Sequence, residues 1–149
     1  MSDRTLSDAL HRLMHAYRRQ LRETIQSEGV ELPITHIRVL KGVCRNAGST
    51  AHSIATNMQR DKAQITRVLN ELVSKGFVVR VSNPRDRRSQ VLEPTAQGTA
   101  LLDTLENLEK QVTAQMTHTL SEDEITTFVR VANLMTEQAG QTSANTRKT

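Results

Sequence analysis

A mainly α-helical fold with one small β-hairpin is predicted by three observations. Apolar residues recur at three- and four-residue steps along most of the chain. Helix-start signals stand before three of those stretches, at Asp61, Thr95 and Ser121. Only "FVVRV" (77–81) and "SQVLEP" (89–94) have strand character, and a turn rich in arginine separates them. The aromatic residues are Tyr17, Phe77 and Phe128, so the core is expected to be aliphatic.

The first helix is predicted from about Thr5 to Glu28, with Leu6, Leu10, Leu13, Met14, Tyr17, Leu21 and Ile25 as its apolar stripe and Gly29 as its stop. "VELP" links it to a second helix, Thr35 to Asn46, whose buried face is Ile37, Leu40, Val43 and Cys44. A short helix in "STAHSIATNM" turns Ala51, Ile54, Ala55 and Met58 inward. Asp61, followed three residues later by Gln64, forms a variant capping box for the next helix. Its core face is Ile65, Val68, Leu69, Leu72 and Val73, and Gly76 ends it. After the hairpin, whose tip spans Asn83 to Arg88, Thr95 caps a long helix to about Thr119 with Leu101, Leu105, Leu108, Val112 and Met116 in line. Ser121 and Glu124 form a full capping box for a last helix, with Ile125, Phe128, Val129, Ala132 and Met135 inward. The small polar residues from Gly140 onward are expected to be disordered.

Two short helices joined tightly, the second capped and polar outside, describe a helix-turn-helix, and the hairpin makes it a winged one. Residues 35–94 are assigned to this winged helix-turn-helix and residues 1–34 with 95–139 to a helical dimerisation region, leaving 140–149 as the tail. The long outer helices are too apolar for the small middle domain to cover, so a second copy of the chain is the simplest partner.

Charge is concentrated. Residues 60–90 hold eight basic and three acidic groups, a balance of +5, whereas the rest of the 149-residue chain holds twelve basic and thirteen acidic groups. A basic patch on a near-neutral body is the footprint of a surface for polyanions. No apolar run approaches the roughly 18 residues of a membrane span. The N-terminus lacks the pattern of a signal peptide, and a single cysteine suits the reducing cytosol. Cys44 is expected to be buried and inert. There is no glycine-rich phosphate loop, no recognisable pair of catalytic carboxylates and no nucleophile motif, so enzymatic activity is not expected.

"DKAQITRVLNELVSKGFVVR" and "NPRDRRSQVLEPTAQG" together resemble the MarR family of bacterial transcriptional regulators. The elements in order are Thr66-Arg67, Leu72, Lys75-Gly76, Arg80, Asp86-Arg87-Arg88-Ser89, and Leu92 through Thr95 to Gly98. Pro94 departs from the leucine usual there and concerns the strand end only. The resemblance runs from the first helix to about residue 139 and implies a cytoplasmic two-fold homodimer that binds double-stranded DNA at a pseudo-palindromic operator, more often as repressor than activator. Each subunit would place the helix after Asp61 in a major groove and the wing over the adjacent minor groove.

Roles then follow from chemistry. Gln64 offers donor and acceptor to an adenine edge, and Arg67 can fork onto guanine. Thr66 suits a phosphate or a thymine methyl. Arg60 and Lys62 flank a helix N-terminus, where phosphate is favoured. Arg88 is assigned to the minor groove, with Asp86 orienting either it or the wing backbone, while Arg85 and Arg87 lie near phosphates. The resemblance further implies release by a small-molecule effector, often phenolic or lipophilic, for which His15, Tyr17, Arg18 and His36 are candidate contacts. The string "RDKAQITR" looks most like the branch controlling drug-efflux operons. No cofactor is implied.

Two rivals remain. A zinc-responsive winged helix would use His11 and His15, which share a helix face but need further ligands from His36, His52, Glu23 or a second subunit. A winged helix that binds protein would not need the basic helix and the arginine wing.

Overall fold

A computed structural model of the chain describes residues 5–146, with eight elements in the order α1 (Leu6–Ser27), α2 (Ile34–Arg45), α3 (Ala51–Met58), α4 (Lys62–Ser74), β1 (Val78–Ser82), β2 (Gln90–Pro94), α5 (Ala96–Met116) and α6 (Glu122–Thr146). By its contacts the chain forms two compact units, divided between Val112 and Thr113, within α5.

In the first unit, α1 starts on a reciprocal box in which Thr5 accepts from the Asp8 N–H and Asp8 accepts from the Thr5 N–H. Only the C-terminal end of its stripe, Leu21 and Ile25, is buried; Leu6, Leu10, Leu13 and Met14 stay open to solvent. Helix α2 packs on α3, α4 and β2, and α4 also meets β1. Their shared core holds Val39, Leu40, Val43, Ile54, Ile65, Leu69, Leu72 and Leu92. Each such side chain contributes about 1.5–3 kcal/mol by leaving water. Thr50 and Ser53 cap α3 with a second reciprocal box.

The strands pair antiparallel from Val78↔Pro94 to Ser82↔Gln90. The link before α3 adds one bond to them, as the Leu92 N–H donates to the Ser49 carbonyl at 2.8 Å. Gly76, at φ +81°, stops α4 in the left-handed region that glycine favours. Thr95 then fastens the start of α5 to this turn: its hydroxyl donates to the Gly76 carbonyl at 2.6 Å and accepts from the Gly98 N–H at 3.0 Å. Along α5 within this unit the buried residues are Gly98, Leu102, Leu105, Leu108 and Val112. Leu102 thus takes the place expected of Leu101, and α5 ends at Met116 rather than near Thr119.

In the second unit the Ser121–Glu124 box forms in full, with bonds of 3.0 and 3.1 Å. Hydrogen bonding of the Glu124 carboxyl to the Ser121 backbone N–H, and then to the Ser121 hydroxyl, lowers its pKa from the ordinary value. The face of α6 expected inward is largely open: Phe128 and Val129 are 55% and 51% exposed, and Ile125, Ala132 and Met135 are partly covered. Periodicity marked a face that wants cover, and a single chain does not supply it. The tail also differs from expectation. Helix α6 runs on through Gly140 to Thr146, because extending a formed helix adds a hydrogen bond per residue without the cost of a new nucleus. Residues 147–149 of the expected tail lie outside the described residues. No helix among the described residues is long and apolar enough to cross a membrane.

Candidate nucleic-acid interface

Helices α3 and α4 meet at a tight turn. Gln59 closes α3 in the left-handed region at φ 53°, and Asp61 opens α4 two residues later. The Asp61 carboxylate accepts from the Gln64 N–H at 3.4 Å, which is half of the expected capping box. Among the described bonds the Gln64 side chain does not reach back, so its amide is uncommitted. Burying Ile65, Val68, Leu69 and Leu72 fixes the roll of α4 about its axis. Lys62 and Arg67 consequently face solvent, Gln64 and Thr66 are half-buried at the edge of the same surface, and Arg60 is exposed just before the cap. The first N–H groups of a helix carry partial positive charge, which adds to Arg60 and Lys62.

The wing is a turn held by its own short side chains. Asn83 Oδ1 accepts from the Arg85 N–H at 3.0 Å, and Asn83 Nδ2 donates to the Ser89 hydroxyl at 2.8 Å. Asp86 Oδ1 accepts from the Arg88 N–H at 2.9 Å, and the Ser89 N–H donates to the Asp86 carbonyl at 3.2 Å. Of the two roles open to Asp86, the geometry shows the backbone one. The side chains of Arg85, Arg87 and Arg88 are exposed, and none enters an ion pair among the described residues. Three uncompensated guanidinium groups on one ordered turn make a surface suited to phosphate or a narrow, electronegative groove.

Two contacts behind this surface were not anticipated. Arg80 donates to Asn70 Oδ1 at 2.6 Å, tying β1 to the outer side of α4. His36 is 8% exposed in α2, and its Nε2 donates to Glu71 Oε2 at 2.5 Å. Both link residues far apart in sequence, so no local pattern announces them.

Of the four candidate effector contacts, His15, Tyr17 and Arg18 lie on α1 and His36 on α2. His15 and Arg18 are exposed, Tyr17 is half-buried, and His36 is engaged with Glu71. Burial, then the nearby Glu109 carboxylate, raises the Tyr17 hydroxyl pKa. None of the four lines the open cleft of about 460 Å³ between the end of α1 and the start of α2, where Arg22, Ile25, Leu32 and Thr35 are found. His11 is exposed like His15, and no group of three or more potential ligands is placed to hold a metal among the described residues. Cys44 is half-buried rather than fully buried, and burial followed by Glu106 and Asp103 pushes its thiol pKa up.

The helix-turn-helix, the hairpin after it and the arginine tip define a winged-helix protein. Residues 32–90 match the model of the MarR family. A protein assigned to transcriptional regulation of the hcr operon in Thauera aromatica is 29% identical over 133 residues, covering 89% of this chain and 79% of that protein. The multiple antibiotic resistance protein MarR of Escherichia coli K12 is 29% identical over 122 residues, covering 80% and 85%. A mutant of the E. coli protein, solved in complex with operator DNA, superposes with a TM-score of 0.69 at 25% identity, covering 85% and 93%. The likeness to the MarR family thus covers the helix-turn-helix and the hairpin as far as Gln90 by the family model, and most of the chain by these relatives.

Proposed function

We propose that the protein is a sequence-specific DNA-binding transcriptional regulator, acting in the cytoplasm as a non-enzymatic homodimeric repressor that a small organic effector releases from its operator. The observation that carries this reading is the exposed cationic start of α4 together with a wing whose three arginines enter no ion pair among the described residues. Helix α4 enters the major groove, where Gln64 and Arg67 read base edges and Thr66 meets a phosphate or a thymine methyl. Arg60 and Lys62 grip phosphate at the helix start. Arg88 enters the minor groove, with Arg85 and Arg87 on the flanking phosphates. The open stripes of α1 and α6 are the surfaces a second copy would cover, so residues 1–34 and 95–139 serve dimerisation and residues 35–94 bind DNA. Two-fold symmetry then requires half-sites about 34 Å apart. Control of a drug-efflux operon rests only on the likeness of the "RDKAQITR" string.

The reading is tested by fluorescence anisotropy on DNA selected from random sequence, across a salt series. A pseudo-palindromic consensus bound with a steep negative salt slope supports it. Weak binding blind to sequence overturns it.

A further inference from the structure

Arg67 and Glu71 stand four residues apart on α4, the spacing at which opposite charges on a helix pair with one another. They do not pair here. Glu71 Oε2 instead accepts from His36 Nε2 at 2.5 Å, and Arg67 is exposed with no ion pair among the described residues. The imidazole is well held for this. His36 is 8% exposed on α2, and α2 is itself fastened to α5 by Lys41 to Glu109 and by Arg45 Nη2 to Glu106 Oε1 at 3.1 Å. The other ring nitrogen, Nδ1, is buried without a partner, so the ring's described bond is the one to Glu71. The Glu71 side chain is half exposed, free to swing along the helix surface were the histidine removed.

We infer that His36 is a positioning residue for operator recognition: it sequesters the Glu71 carboxylate and so leaves the Arg67 guanidinium free to read DNA. The inference rests on the DNA-binding reading above. Without His36, Glu71 would compete with the guanine edge for Arg67 and would place an unshielded negative charge about 6 Å along the helix axis from it. The acid is then harmful only when the histidine is missing, a dependence that a general packing role does not produce.

The test is a four-corner set measured by anisotropy on the operator selected with the wild-type protein, and on unrelated DNA. His36→Phe keeps a ring but loses the bond, and should weaken operator binding roughly three- to tenfold while binding to unrelated DNA changes far less. Glu71→Ala should bind the operator at least as well as wild type. His36→Phe with Glu71→Ala should recover most of the loss, and His36→Gln, which keeps a donor, should lie near wild type. Failure of the double variant to recover affinity overturns the inference, as does a His36→Phe protein with wild-type affinity. Should His36→Phe not fold, the half-exposed Glu71 provides a second route. In nuclear magnetic resonance of the wild type, the His36 Nε2–H should exchange slowly with solvent and lose that protection in Glu71→Ala; equal exchange in both overturns it. Failure of the wild type itself to select an operator would instead strike the DNA-binding reading.

Discussion

Gly98, in the first turn of α5, lies so close to Phe77 that a Cβ built on it would stand 2.0 Å from the Phe77 carbonyl oxygen. The same carbonyl accepts from the Thr95 N–H at 3.0 Å, so it cannot withdraw without loosening the junction of hairpin and helix. In an open helix, alanine in place of glycine stabilises by up to about 1 kcal/mol. Here the sign reverses. Gly98→Ala should destabilise by about 1–3 kcal/mol or more, read as a lower thermal midpoint. An unchanged or raised midpoint would mean that the close approach is absent in solution.

Arg67 and Arg88 should fail differently when truncated. Arg67→Ala removes a fork aimed at a base and should relax preference at the contacted pair by about 1–3 kcal/mol. Arg88→Ala should weaken operator binding markedly and most where the flank is rich in A·T. Gel-shift titrations against operators altered at single positions separate the two. If both variants stay folded and bind as wild type does, α4 and the wing do not dock as proposed.

Asp86 acts through the wing backbone, since its carboxylate accepts from the Arg88 N–H. Asp86→Asn keeps an acceptor there and Asp86→Ala does not. Operator affinity should therefore fall for Asp86→Ala and stay close to wild type for Asp86→Asn. An equal fall in both would point to the charge of Asp86, acting on an arginine side chain.

Much of this fold was legible before any coordinates. The Ser121–Glu124 box, the Gly76 stop and the β-branched and aromatic run "FVVRV" are local devices, and local devices can be read along a sequence. What escaped was of two kinds. Contacts such as His36 with Glu71 and Arg80 with Asn70 join segments 35 and 10 residues apart, and nothing in either partner's neighbourhood specifies the other. The state of an apolar stripe escaped as well: periodicity placed Phe128 and Val129 on an inward face, yet only an added chain can decide whether that face is covered. At the interface, the wing arginines were evident from composition, whereas the backbone role of Asp86 needed the turn geometry.

Cys44 should be a sluggish thiol. Burial and the carboxylates of Glu106 and Asp103 raise its pKa, so less thiolate is present at neutral pH than for a free cysteine. Alkylation by iodoacetamide should be slower than that of a small free thiol at pH 7, and should quicken as pH rises. Dilute peroxide should leave operator binding intact. Fast alkylation at neutral pH, or loss of binding that a reductant restores, would contradict this.

The exposed stripes on α1 and α6 give the assembly prediction. Leu10 and Leu13 are 39% and 40% exposed on one helix, and Phe128 and Leu134 are 55% and 50% exposed on the other. Apolar side chains left open in this number destabilise a lone chain in water, and covering each of them fully is worth about 1.5–3 kcal/mol. A carboxylate introduced into such a surface must be desolvated without a partner if the surface is buried, and costs little if it is not. Phe128→Glu and Leu10→Glu should therefore each shift the sedimenting species from dimer to monomer while leaving the helix-turn-helix folded. Operator affinity should fall with them, because one recognition helix then reads one half-site. A wild-type protein that sediments as a monomer would overturn the dimer, and variants that remain dimeric would place the two-fold interface elsewhere on the chain.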